Sequence, residues 1–195
     1  IHDILVIVAP DHAGDFINLL QQYERFGISF TYKVQHEPRG LADAFIVGRE
    51  FIRGKPVAMI LGDNIFEYDF TADLASYTGG GMIFVKEVAD PARFGVVRFN
   101  EKDEPVEIVE KPKSFLSPFA ITGMYVCDGT VSDIADTLKP SARGEIEVTD
   151  IYNHYLKSGD LVVKRIDGQW LDAGTIDSLH KASSFAKSFA DKGES

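Results

Sequence analysis

The 195-residue chain has no glycine-rich loop followed by the lysine or arginine that would cradle a nucleotide's phosphates, which excludes the common phosphate-loop motifs. Its run of three glycines, Gly79 to Gly81, precedes a strand-like segment instead of a helix and reads as a turn. Positive charge is also scarce. Twenty Lys and Arg stand against 30 Asp and Glu, a formal charge of −10, which argues against a nucleic-acid partner. Cys127 is the single cysteine, so no internal disulfide is possible, and the five histidines are spaced too widely to form a metal cluster. The cytosol is the expected compartment. No apolar run approaches the roughly 20 residues that span a bilayer, and the opening IHDILVIVAP lacks the positive flank of a signal peptide. A soluble protein with no membrane partner is expected. No internal repeat, low-complexity tract or long linker interrupts the chain.

What remains is globular in composition, 45% hydrophobic and 26% charged, with one domain over residues 1–195 as the default. Ile4 to Ala9 is a continuous apolar run suited to a buried strand, stopped by Pro10-Asp11. A helix to about Phe26 is expected next, with Gly27 as its stop, then the strand ISFTYKVQ. GLADAFIVGREFI carries Leu41, Phe45 and Ile52 at helical spacing, and the strand VAMIL ends in Gly62-Asp63-Asn64. Strands alternating with helices imply a mixed, mainly parallel sheet flanked by helices, an α/β class of Rossmann-like kind. After residue 79 the short segments GGGMIFVKEV, FGVVRFN, PVEIVEKP and FAITGMYVCD predict an antiparallel or mixed extension forming a lid or second lobe. Helical patterning returns in TVSDIADTL and EIEVTDIYNHYLKSG, followed by the strand DLVVKRID. A helix from about Ile176 to Ala190 and a polar tail, DKGES, close the chain.

Two aspartates carry the strongest chemical signal. Asp63 follows a strand and a glycine, and Asp172 stands in WLDAGT between Trp170 and Gly174. Strand-end carboxylates can meet at the carboxyl edge of an α/β sheet and hold a cation, although each alone is as readily a turn or cap aspartate. Glu110-Lys111-Pro112 offers an acid and a base at a strand end, either a clamp for a sugar hydroxyl and a phosphate or a surface ion pair. Gln35 can read a base edge, and Gly40 opens a helix whose N-terminus suits an anion, or both are turn chemistry. Arg143 can reach a phosphate or remain solvated. His36, His154 and Cys127 are better read as ordinary residues than as a nucleophile and its base.

Seven blocks, QHEPRGLADAF, LGDNIF, ARFGVVRFN, VEKPK, AITGMYVCD, RGEIEVTDIYNHYL and WLDAGT, occur in the order found in sugar-nucleotide pyrophosphorylases. The chain resembles that nucleotidyltransferase family along nearly its whole length, its thymidylyltransferase branch most of all. The resemblance implies a nucleotide-diphospho-sugar transferase fold and transfer of a nucleotidyl group from dTTP to glucose 1-phosphate with Mg²⁺. It implies that Asp63 and Asp172 bind the metal, with Asp63 also in the nucleotide site beside Gln35 and Gly40. Gly95, Glu110, Lys111, Gly123 and Arg143 would line the sugar-phosphate site, with Lys111 and Arg143 as the catalytic cations. Phe94 stands where relatives often carry tyrosine, which removes a hydroxyl contact.

Relatives open with a strand and the loop Gly-Gly-x-Gly-Thr-Arg-Leu-x-Pro, then a lysine segment, and this chain begins where their second strand begins. An amino-terminally truncated member with its first strand missing is therefore expected, a weak or inactive catalyst by itself because the triphosphate-neutralising groups are absent. Without a strand between them, Ile4 to Ala9 and Val57 to Leu61 are expected to pair directly or to drive homo-oligomer formation. A noncatalytic sugar-phosphate or nucleotide binding module and a metal-dependent glycosyltransferase are the alternatives.

Overall fold

The structure, a computed structural model, describes residues 1–193. In chain order its elements are β1 (Asp3–Val8), α1 (Ala13–Leu20), β2 (Ser29–Val34), α2 (Asp43–Val47), α3 (Arg49–Ile52), β3 (Val57–Ile60) and β4 (Asn64–Phe66). There follow α4 (Thr71–Ala75), β5 (Gly81–Glu87), β6 (Gly95–Phe99), β7 (Pro105–Glu110), β8 (Phe119–Cys127) and α5 (Val131–Thr137). The chain ends with α6 (Val148–Ser158), β9 (Leu161–Arg165), β10 (Trp170–Asp172) and α7 (Ile176–Gly193). These divide into two compact units. Unit 1 comprises Ile1–Val57 and Asp128–His154, and unit 2 comprises Ala58–Cys127 and Tyr155–Ser195.

In unit 1 the aliphatic run of β1 pairs in parallel with β2, in register from Asp3 opposite Ser29 to Val8 opposite Val34. The connecting helix is α-helical only to Leu20 and tightens to 3-10 geometry over Gln21–Phe26, where a helix had been expected throughout. Neither piece buries a residue, so no packing holds the last turns to α geometry. Gly27 stops the helix in the left-handed region, as expected. The helix expected from Gly40 starts at Asp43 and is broken at Gly48 into α2 and α3, consistent with glycine's low helix propensity. Phe45 and Ile52 are buried, whereas Leu41 lies outside the helix and is exposed. Val131, Ile134 and Ala135 of α5, with Ile151 and Tyr152 of α6, are further buried residues of this unit.

Unit 2 is built on a six-stranded sheet ordered β7-β6-β8-β5-β9, with β3 also paired to β8. The segments expected to form a lid or second lobe are this sheet. β6–β7, joined by a short turn, runs antiparallel, as do β5–β8 and β6–β8, while β5–β9 is parallel. The α/β class with a mixed sheet holds, with β1–β2 and β5–β9 as parallel ladders. The central strands β5 and β8 are buried along most of their length, as a covered sheet requires. Met82, Phe84, Met124, Val126 and Ile166 form its core, with Phe66, Phe70, Leu74 and Trp170 packed against them.

The two runs expected to pair with each other have other ladder partners, β1 with β2 and β3 with β8. The final helix is longer than expected and takes in Asp191 to Gly193; the rest of the polar tail, Glu194 and Ser195, lies outside the described residues. Thr175 and Ser178 cap it reciprocally, each backbone N–H donating to the other's hydroxyl at 3.2 and 3.0 Å.

Candidate functional site

The aspartates meet, but not at the end of a parallel sheet. Strands β4 and β10 form a separate antiparallel ribbon in which Asn64 lies opposite Asp172, Ile65 opposite Leu171 and Phe66 opposite Trp170. Asp63 is the turn residue just before β4, and its carbonyl accepts the Ala173 N–H at 2.7 Å. The motifs LGDNIF and WLDAGT, more than a hundred residues apart in sequence, thus become neighbouring strands with their acids at one end.

Gly174 marks where the carboxylates converge. A Cβ at this position would lie 3.1 Å from Asp172 Oδ1 and 3.2 Å from Asp63 Oδ2, so both acids border a space that any other residue would fill. The Gly174 N–H donates to Asp172 Oδ1 at 3.1 Å. Hard carboxylate oxygens on a cradle of this kind fit a divalent cation that retains waters and takes one or two carboxylates from the protein. No group of three or more His, Cys, Asp or Glu gathers among the described residues, so a closed all-protein metal cage is not built here.

The surrounding residues include several predicted from sequence. Gly95 and Glu110 are directly opposite in the β6–β7 ladder. Lys111, one residue on, donates its N–H to the Phe94 carbonyl at 3.0 Å and adopts a φ of 41°, rare for a lysine. Phe94 packs its ring 5.0 Å from that of Trp170, so the start of β6 rests against the aspartate ribbon. Gly123, in β8, accepts the Leu61 N–H through its carbonyl at 2.9 Å and presents its bare Cα to the Asn64 side chain.

Three residues escaped the sequence reading. The Asn64 side chain links Asp63, Trp170 and Gly123 through hydrogen bonds of 2.8, 2.6 and 3.0 Å. Its signal was its place directly after Asp63. The Arg93 guanidinium lies 4.0 Å from Asp172 Oδ2 and 5.5 Å over the Phe94 ring, a cation signalled only by preceding Phe94. Tyr125 is buried, and burial first, then the negative charges of Glu110 and Asp63, push its phenol well above the usual range. Both Glu110 and Asp63 therefore act on one hydroxyl.

Gln35, Gly40 and Arg143 belong to unit 1. Gln35 follows β2, and its Nε2 donates to the buried Asp43 carboxylate at 2.8 Å, which Arg39 also approaches at 3.4 Å. Gly40 does not open a helix. At a φ of 109° it lies against the Ile146 backbone, whose oxygen would be 2.5 Å from an added Cβ. Arg143 donates to Glu145 Oε1 at 2.9 Å and lies 3.6 Å from Glu147, so it is held by two acids. A cavity of about 590 Å³ in this unit, bordered by Lys33, Glu50, Arg53 and Lys55, contains none of the predicted residues. Among the described residues no helix is long and apolar enough to cross a membrane.

Residues 1–188 match the model of the nucleotidyl transferase family. The chain belongs to this family. It is 47% identical over 193 residues to the glucose-1-phosphate thymidylyltransferase of Neisseria meningitidis, covering 96% of this chain and 67% of that protein. The Xanthomonas campestris glucose-1-phosphate thymidylyltransferase is 41% identical over 191 residues, covering 95% of this chain and 65% of that one. A Bacillus anthracis structure described as a glucose-1-phosphate thymidylyltransferase in complex with sucrose superposes with a TM-score of 0.88 at 41% identity, covering 95% of this chain and 76% of that chain. A UDP-glucose pyrophosphorylase superposes with a TM-score of 0.82 at 22% identity, covering 96% of this chain and 81% of that one, a likeness of fold alone. The chain spans about two thirds of the length of the curated relatives it matches. The thymidylyltransferase resemblance carried by the seven sequence blocks is borne out, as is the nucleotide-diphospho-sugar transferase fold. Sugar-phosphate and nucleotide substrates and a divalent metal are what this family implies.

Proposed function

We infer that this chain carries the nucleotidyl-transfer chemistry of a glucose-1-phosphate thymidylyltransferase, its two units being parts of one nucleotidyltransferase domain. In that reaction an oxygen of glucose 1-phosphate attacks the α-phosphorus of dTTP in line and pyrophosphate leaves. The convergence of Asp63 and Asp172 at Gly174, beside the Gly95–Glu110 pair, carries this reading. Its chemistry is mainly positioning and charge cancellation, since phosphoryl transfer asks little covalent work of the protein. Asp63 and Asp172 would hold Mg²⁺, which when bound supplies positive charge beside the triphosphate. Gly95, Glu110 and Gly123 would orient the sugar. Lys111 holds the incoming phosphate, and Arg143 assists once it leaves Glu145 and Glu147.

Gln35 and Gly40 would face the base. One amide N–H of Gln35 is given to Asp43, and its carbonyl oxygen is the acceptor that would match the N3–H of thymine and not the N3 of cytosine. The same reading includes self-association of the chain, which light scattering at several concentrations would register as a mass above 21.6 kDa.

Pyrophosphate release from dTTP, Mg²⁺ and glucose 1-phosphate tests the assignment, using this chain beside the same chain extended with the family's amino-terminal strand and loop. The extended chain turns over; the 195-residue chain is slower by about 10²- to 10³-fold or more, the cost of losing a preorganised charge-stabilising group. Binding of both ligands without pyrophosphate release from either chain would instead indicate a binding module. Consumption of dTDP-glucose with an acceptor sugar would indicate a glycosyltransferase.

A further inference from the structure

We propose that Asn64 is a positioning residue that locks the Asp63 carboxylate in its cation-binding orientation, an inference that rests on reading Asp63 and Asp172 as ligands of a divalent cation. The Asn64 amide has its two ends unambiguously assigned by its partners. The groups that meet it, the Trp170 indole N–H and the Gly123 backbone N–H, are both donors, so the oxygen must face them, at 2.6 and 3.0 Å. The nitrogen is therefore turned to Asp63 Oδ1, to which it donates at 2.8 Å. One carboxylate oxygen of Asp63 is thus tied back, and the other, Oδ2, is the atom that borders the Gly174 cradle.

The packing leaves Asn64 no alternative place. A Cβ on Gly123 would lie 2.5 Å from the Asn64 Cγ, so the amide is seated directly on the β8 backbone. Trp170 and Asp172 are on the same strand, two residues apart, so β10 supplies both a ligand and a clamp for the residue that orients the other ligand. Partners that orient a metal ligand typically change metal affinity by about 10- to 100-fold when removed.

The experiment is a manganese(II) titration of the full chain without nucleotide, followed by the electron paramagnetic resonance signal of free Mn²⁺. Emission from Trp170, the single tryptophan, gives a parallel readout that needs no turnover. The parent chain binds Mn²⁺, and D63N and D172N abolish the binding. N64L removes all three hydrogen bonds at similar volume. N64D keeps the oxygen for Trp170 and Gly123 but points a second acceptor at Asp63. Both Asn64 variants weaken Mn²⁺ binding about 10- to 100-fold, N64D with parent-like circular dichroism and thermal melting, a separation that a purely structural asparagine would not show. Parent-like or tighter Mn²⁺ binding by N64D overturns the positioning role while leaving the metal site standing. Failure of the parent to bind Mn²⁺, or parent-like binding by D63N, overturns both.

Discussion

Each unit gathers acids, and the two gatherings are resolved in opposite ways. In unit 1 the buried Asp43 is met by the Gln35 amide at 2.8 Å and the Arg39 guanidinium at 3.4 Å, and Arg143 is held by Glu145 and Glu147. In unit 2 Asp63 and Asp172 border the same bare glycine, with the Arg93 guanidinium 4.0 Å from one of them. Two carboxylates brought together repel, and a fold retains that cost where a cation relieves it. On the function proposed above, the difference separates a charge cluster that holds structure from one that would receive a cation.

The most severe way to break the comparison is to remove an acid from each side. D172N in the loop-extended chain lowers pyrophosphate release by about 10²-fold or more, whereas D43N leaves Mn²⁺ binding at the parent level. Equal loss of Mn²⁺ binding by D43N would erase the distinction. Gly123→Ala comes next, because its methyl would press on Asn64 at 2.5 Å. It should cost about 1–3 kcal/mol of stability, a fall of roughly 2–4 °C in Tm per kcal/mol, and weaken Mn²⁺ binding in the same titration. A parent-like melt and affinity would show that the amide has room to move.

Asp43→Ala sharpens the other side. It leaves the Gln35 amide and Arg39 without their shared acceptor, at about 1–3 kcal/mol, read as a lower urea midpoint with the denaturant slope unchanged. The smallest effect concerns alkaline pH. The native phenol of Tyr125 titrates above its unfolded value because it is buried near Glu110 and Asp63. The neutral ring therefore contributes stability that is fully present below about pH 10 and is lost as pH rises toward the native value. Urea melts from pH 8 to 11 should show Tyr125→Phe declining less steeply than the parent above pH 10. Parallel curves would mean that Tyr125 does not carry this linkage.

Legibility from sequence followed the range of the interactions. The strand Ile4 to Ala9, the stop at Gly27, the turn at Gly79 to Gly81 and the last helix were readable because local patterning and backbone preference set them. The break at Gly48 and the 3-10 stretch after Leu20 were less so, since short helices depend on what they pack against. Asp63 and Asp172 stood out by residue type and neighbouring glycines. Asn64, Arg93 and Tyr125 did not, because nothing in LGDNIF, ARFGVVRFN or AITGMYVCD shows that an amide, a cation and a phenol will face the same acids.

By itself the sequence determined the α/β character, the longer strand and helix segments, the family resemblance and the pair of acids, all properties of local pattern and residue chemistry, but not the short β4, α4 and β10. Only the tertiary structure decided that the acids meet through the β4–β10 ribbon, that Gly95 lies opposite Glu110, and that Gly40 serves close packing and not a helix start. Those outcomes depend on pairing register and on backbone-to-side-chain distances between residues far apart in the chain, which no local pattern encodes.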